Sequence, residues 1–350
     1  MQRYSLNLQT ALASDWMLEV GYQGSRGTKL LQSRSFNQAL AASPSNTIRG
    51  QTTNDLANIA LRVPIEGLDP LFSTLIESAG ASWYNALGAS LSKRFSHGLQ
   101  FLASYTLASA LETNPGYTTG AFSGGGRVGD QNSARANYGF DDFVRPQRVV
   151  VSYIWQIPGF TAARGWRTKV LGGWSVSGVA TFQNGQHLTI VDTNALNAFG
   201  ISSAGLDRAQ LAPNCSNRNV PTAGNVTSRI DNYFNASCFT APPVIGSDGL
   251  ATGFGNAGNG IVSGPDQRNF DIALTKRIRL RAENQALEFR AEFFNAFNTP
   301  SFANPALNVG TVAPDPVTGV ASLQQDPTFG HITSTSVAPR ILQFALKLFF

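Results

Sequence analysis

Charge is in short supply. Asp, Glu, Lys and Arg make up 13% of the 350 residues, about half the roughly 25% usual in soluble domains. A globule with a charged, solvated surface is therefore a poor description. Long apolar runs are missing too: no stretch approaches the 18 consecutive apolar residues of a membrane-crossing helix. The start, "MQRYSLNLQTAL", lacks the basic residues and apolar core of a signal peptide, so export would need a signal outside these residues. Only two cysteines occur, too few for a zinc site. Cys215 and Cys238 share one Gly/Asn/Pro-rich stretch. An oxidised loop staple is the leading reading, two unrelated free thiols the other. Net charge is +5, but the basic residues are scattered, which argues against a nucleic-acid partner. Glycine (34) and phenylalanine (23) are abundant, and mean hydropathy is only −0.08. That combination suits a surface of alternating character.

Alternation is what the chain has. Period-2 patterning with flanking turn signals recurs nine times. "RYSLNLQTAL" puts Tyr4, Leu6, Leu8 and Leu12 on one face, and "WMLEVGYQG" aligns Trp16, Leu18, Val20 and Tyr22. "YNALGASLSKRF" aligns Leu87, Ala89, Leu91 and Phe95, and a tight turn at Ser96-His97-Gly98 leads into "LQFLASYTLA". "RVVVSYIWQI", "KVLGGWSVSGVATFQ", "NFDIALTKRIRL", "ALEFRAEFFNA" and the closing "ILQFALKLFF" follow the same rule. Ten residues at about 3.3 Å each, tilted near 45°, cross roughly 25 Å, the height of an outer-membrane barrel's apolar band.

Connection lengths alternate strictly between short and long. The long stretches cover about 25–82, 110–146, 184–266 and 297–338. A transmembrane barrel has this rhythm, with short periplasmic turns and long extracellular loops; a sandwich seldom does. The expected fold is therefore all-β: an antiparallel up-and-down transmembrane β-barrel segment over 1–350, in contact with outer-membrane lipid. Arg277 and Arg279 on one strand, and Glu288, Arg290 and Glu292 on the next, are expected to face the lumen as cross-strand pairs. A basic residue against lipid would cost about 2–4 kcal/mol at the midplane. A soluble barrel with the same charges in solvent is the bland alternative. Within the first long loop, "DPLFSTLIESAG" has helical spacing with Asp69 as a candidate N-cap, and a short helix or an irregular loop is expected there.

Nine strands leave the first entering from the extracellular side if the last ends in the periplasm. Single-chain bacterial barrels have even strand numbers. The count predicts a C-terminal part of a larger barrel; a missed strand over "LLQSRSFNQ" (30–38) is the rival account.

Four segments carry a family resemblance: "LEVGYQGSRGTKLLQSRSFNQ", "YNALGASLSKRFSHGLQFLASYTLA", "FRAEFFNAFNTPSFANP" and "PRILQFALKLFF". In that order they resemble the C-terminal barrel of TonB-dependent outer-membrane receptors, most of all the Oar-like group with a carboxypeptidase-regulatory-like domain. The resemblance implies a bacterial outer-membrane location and energised uptake of a large or scarce ligand, whose identity stays unknown. The TonB system would act only through a plug domain that these residues do not contain. The closing row Leu342, Phe344, Leu346, Leu348 and Phe350 looks like the signal read by the barrel-assembly machinery. A small passive porin of about ten strands and a secreted β-protein with adhesive loops are the alternatives.

Catalytic and cofactor signals are weak. Gly124-Gly126-Gly129 and Gly253-Gly255-Gly258 match G-x-G-x-x-G but do not join a strand to a helix. His97, His187 and His331 lie in different segments. Asp141 and Asp142 sit at a loop edge, where neighbouring acids cap or solvate, with calcium as the sharper alternative. No nucleophile elbow is found. Neither an enzyme nor a cofactor is expected. Trp16, Trp83, Trp155, Trp166 and Trp174 are expected in interfacial girdles; Tyr117, Phe122 and Tyr138 are candidates for ligand stacking in the vestibule.

Overall fold

The computed structural model describes residues 1–70, 72–113, 127–158, 170–194, 199, 206–250, 253–280 and 285–350. Among these residues nine long strands form one antiparallel wall: β1 (Gln2–Ala13), β2 (Trp16–Ser35), β3 (Thr74–Ser96), β4 (Leu99–Glu112), β5 (Gln147–Gln156), β6 (Trp174–Gln183), β7 (Gln267–Arg279), β8 (Ala286–Phe294) and β9 (Ile341–Phe349). Each pairs with its chain neighbours in simple sequential order, and a two-residue strand, Gly139–Phe140, adds to the end of β4. The fold is thus all-β, up-and-down and open. Among the described residues β1 pairs only with β2, and β9 only with β8.

The register follows the alternation. Directly opposite residues share a sheet face, and apolar meets apolar across the wall. Leu8 faces Val20, Leu18 faces Leu91, and Val149 faces Phe182. Leu274 faces both Val176 and Ala291, and Phe289 faces Leu346. One row of the same face is broken by Lys276, which is buried. Its ammonium turns back to the carbonyls of Val170 (3.0 Å) and Gly172 and lies 5.2 Å from the Trp174 ring centre.

The short turns have local causes. His97 (φ 50°) and Gly98 (φ 80°) form the two-residue β3–β4 turn, the left-handed pair that matches the twist of a hairpin. Asp15 in the β1–β2 turn reaches the same corner. Lys93 Nζ donates to Asp15 Oδ2 at 2.9 Å, and Ser96 Oγ also donates to that carboxylate.

Two expectations are corrected. The first long loop is shorter than 25–82, because β2 runs on to Ser35 and β3 begins at Thr74. The first six residues of "LLQSRSFNQ", 30–35, thus continue β2, and the segment is not a tenth wall strand. At about 3.3 Å per residue the 20 residues of β2 span roughly 66 Å, well beyond what a tilted strand needs to cross a bilayer. A bulge at Thr28–Leu30, with Lys29 at φ 55°, marks this part of the hairpin. Neither alternative for 69–80, a short helix or an irregular loop, describes 74–80, which is strand. Leu75 and Ile76 pair with Arg34 and Ser33 in the extended hairpin, so their backbone groups are satisfied by the ladder. The loop's helix is instead the single turn Ile59–Arg62.

The long connections are not slack. Residues of 188–262 and 309–332 share a buried core that includes Leu188, Ile190, Val220, Phe234, Phe239 and Phe329. A four-stranded sheet of Leu206–Arg208, Val191–Asn194, Asn308–Pro314 and Ala321–Gln325 stands beside it. Together they make a packed loop layer at one end of the wall.

Candidate functional site

The wall has one apolar and one polar face. Large side chains on the apolar face are open to their surroundings: Leu6 is 74% exposed and Leu346 69%. Leu87, Leu107, Trp155 and Phe182 on strands between these two edges are exposed as well, a row unsuited to water and suited to lipid. Aromatic residues gather at both ends of the strands. At the short-turn end Trp16 meets Phe101 edge-on at 5.2 Å. Towards the loop end Phe182, Phe270 and Phe297 stack edge to face at 5.2 and 5.1 Å, and Tyr4 and Tyr22 both donate to Asn85 Oδ1. On β6, Trp174 and Phe182 lie eight residues apart, about 26 Å along the strand, or roughly 20 Å of height at barrel tilt.

The polar face carries a recess of about 630 Å³ whose lining includes Arg94, Gln100, Ser152, Asp271, Arg290 and Glu292. The five charges expected in the lumen all fall on this face, alternating with the apolar row. Register sets Arg277 opposite Glu288, and Glu288 opposite Lys347, a row of alternating sign. The ion pair formed, however, runs along one strand, with Arg290 Nη2 at 2.7 Å from Glu292 Oε1. Arg279 faces Ala286. Arg277 and Lys347 instead approach the Phe349 ring, at 4.9 and 4.6 Å from its centre. In β9, Leu342, Phe344, Leu346 and Leu348 face Phe293, Ala291, Phe289 and Leu287, and Phe350 projects beyond the strand, 94% exposed.

The loop layer holds the remaining candidates. Cys215 and Cys238 are bonded to each other, Cα–Cα 5.4 Å, and Cys238 is buried in the layer's core. Tyr138 packs edge-on against Trp83 at 5.5 Å. Tyr117, Phe122 and Trp166 lie outside the described residues. Asp141 Oδ1 accepts the backbone N–H groups of Phe143 (2.5 Å) and Val144 (3.3 Å), a local turn cap. Among the described residues no three His, Cys, Asp or Glu side chains form a metal-holding group.

Periodicity gave no sign of a pair of buried acids in this layer. Asp192 and Asp207 lie directly opposite each other on Val191–Asn194 and Leu206–Arg208. Asp192 is fully buried, and neither carboxylate oxygen has a hydrogen-bond partner. Burial, and then the charge of Asp207, push its carboxyl up to about 8. Asp207 accepts N–H from Gly255 (3.0 Å) and Arg208 (2.7 Å). Burial still raises it to about 6 against the pull of these donors and the Arg208 guanidinium.

A two-faced antiparallel wall with aromatic ends and a thick loop layer at one end has the anatomy of an outer-membrane barrel. No curated protein matches the chain. Among solved structures, the outer membrane transporter YddB from Escherichia coli aligns with a TM-score of 0.44 at 9% identity, over 99% of this chain and 32% of that one. The ferric-catecholate import receptor Fiu from E. coli K12 aligns with a TM-score of 0.35 at 11% identity, over 99% and 35%. The chain spans about a third of the length of these two. The family described as outer membrane beta barrel domain matches residues 1–343, almost the whole chain, and the protein belongs to that family of the bacterial outer membrane.

Proposed function

We propose that the chain is the C-terminal wall of a TonB-dependent receptor barrel of the Oar-like kind, whose complete form takes up a large or scarce ligand with energy relayed through a plug domain. The observation that carries this reading is the direction of the two free edges. Nine sequentially antiparallel strands leave β1 and β9 running the same way. Antiparallel closure therefore needs an odd number of further strands between them. Self-closure would force a parallel pair. A second copy in the same membrane orientation would meet the same parallel mismatch at each seam. In this reading the long loops face outward, the short turns face the periplasm, and the charged face lines the lumen against a plug. The β9 row with Phe350 serves as the address read by the barrel-assembly machinery.

The purified 350-residue chain, refolded and added to planar bilayers, tests the reading. Absence of a stable, uniform conductance is expected. Uniform long-lived channels would replace this reading with a small passive porin.

A further inference from the structure

The buried carboxyl pair has no part in building a barrel wall, and its setting is costly. An ionised carboxylate without a donor is among the least tolerated groups in a protein interior, and Asp192 has no donor on either oxygen. Its cross-strand neighbour is a second carboxyl. The charged groups around the pair come from two sides. Arg208, on the Asp207 strand, donates Nη1 to the Ala257 carbonyl at 3.1 Å while its Nε has no partner. Asp130 acts on Asp207 and Arg208 from the 127–131 segment. The strand Asn308–Pro314, on the far side of Val191–Asn194, brings no ionisable residue. Among the described residues, with Asp130 counted, acid outnumbers base, and no charge of the opposite sign is paired with Asp192.

The pair sits where three loops meet. The Gly129 backbone lies so close that a Cβ there would collide with Asp207 Oδ1. That segment is tied to the first loop by Gln38, which donates to the Gly129 carbonyl at 3.0 Å and accepts from Gln131 N at 2.9 Å. The first loop reaches the third through Ala39 N to the Phe199 carbonyl, 3.2 Å.

We propose that Asp192 and Asp207 form a proton-operated latch: one proton held by the pair keeps the loop layer closed, and its loss loosens the junction of the three loops. With a proton on Asp192, one charge remains and Asp207 keeps its two backbone donors. With both groups ionised, two anions face each other across adjacent strands in a low-dielectric setting, and the strain is relieved only by letting water between the strands. The direction follows from proton counting. The closed layer raises both carboxyls above their ordinary values, so it binds more protons than the open one. Closure is therefore fully favoured below the ordinary carboxylate range, weakens as pH rises from there to about 8, and changes no further above it.

Amide hydrogen exchange on the full chain in lipid tests this, read over 187–194 and 206–211 from pH 5.5 to 8.5. Each rate is divided by the intrinsic rate at that pH, and the series is run with EDTA and with calcium. Protection in the wild type is expected to fall about tenfold or more across that range, one pKa unit being a factor of ten. Asp192→Asn is expected to show protection that no longer falls above about pH 7, because an amide does not titrate and Asp207, at about 6, is already ionised there. Should that variant fail to assemble, Asp207→Asn is expected to show a shallower fall that ends at lower pH, because burial still raises Asp192 while the facing charge is gone. A flat wild-type profile would overturn the proposal, as would an unchanged slope in both variants. Protection that depends on calcium and is abolished by EDTA would overturn it in favour of a cation site.

Discussion

Single side chains hold the short-turn end of the wall and the loop layer by different means, an ion pair at one and a disulfide in the other. At the short-turn end the Ser96 hydroxyl and Lys93 hold the Asp15 carboxyl below the usual range. A lowered carboxyl stabilises the fold above its unfolded value and loses that contribution as pH falls through the folded one. The β1–β2 turn is thus expected to lose amide protection below about pH 4, whereas Asp15→Asn should lack that acid step and already exchange faster at pH 7. The loop layer depends on a covalent residue pair. Cys215 and Cys238 close a loop with a sequence separation of 23, for which chain entropy gives about 3 kcal/mol. Cys238→Ser is expected to destabilise the loop layer by up to about that amount and to leave β1–β9 protected. Urea titration followed by exchange at 188–262 and at the wall strands separates the two regions.

Strands were the legible elements, and the reason is lipid. A strand with hydrocarbon on one side and water on the other must alternate, and that constraint writes the period-2 pattern into β1, β4, β5, β8 and β9. Where β2 and β3 pass out of that setting the constraint ends. "KLLQSRS" and "TLIESAG" place apolar residues on either side, so the hairpin extension reads as loop or helix. The loop layer was harder still. Its strands are two to seven residues long, its core joins Leu188 to Phe329 across the sequence, and Asp192 meets Asp207 only through folding. No local period encodes such contacts. The same face logic predicts the effect of charge on β9. Leu346, on the apolar row opposite Phe289, and Gln343, opposite Glu292, lie three residues apart on opposite faces of one strand. Leu346→Arg is expected to cost about 2–4 kcal/mol at mid-membrane depth, while Gln343→Arg is close to neutral. Folding titrations into lipid vesicles measure the difference; equal costs would mean that the faces are assigned wrongly.

At the scale of the whole molecule the described strands form an open wall whose edge strands are co-directional. If the nine strands are part of a larger barrel, β1 and β9 are separated by several strand widths. If the chain closes on itself, they are neighbours about 4.7–4.9 Å apart. Leu8 and Leu346 lie on the apolar face of the two edge strands, where a probe leaves the polar interior untouched. Spin labels at Leu8→Cys and Leu346→Cys, in a chain whose native cysteines remain disulfide-bonded, report that separation directly in outer membranes. A dipolar distance of tens of ångströms, many times the strand spacing, is expected; a contact distance between the two labels would mean that the wall closes on itself.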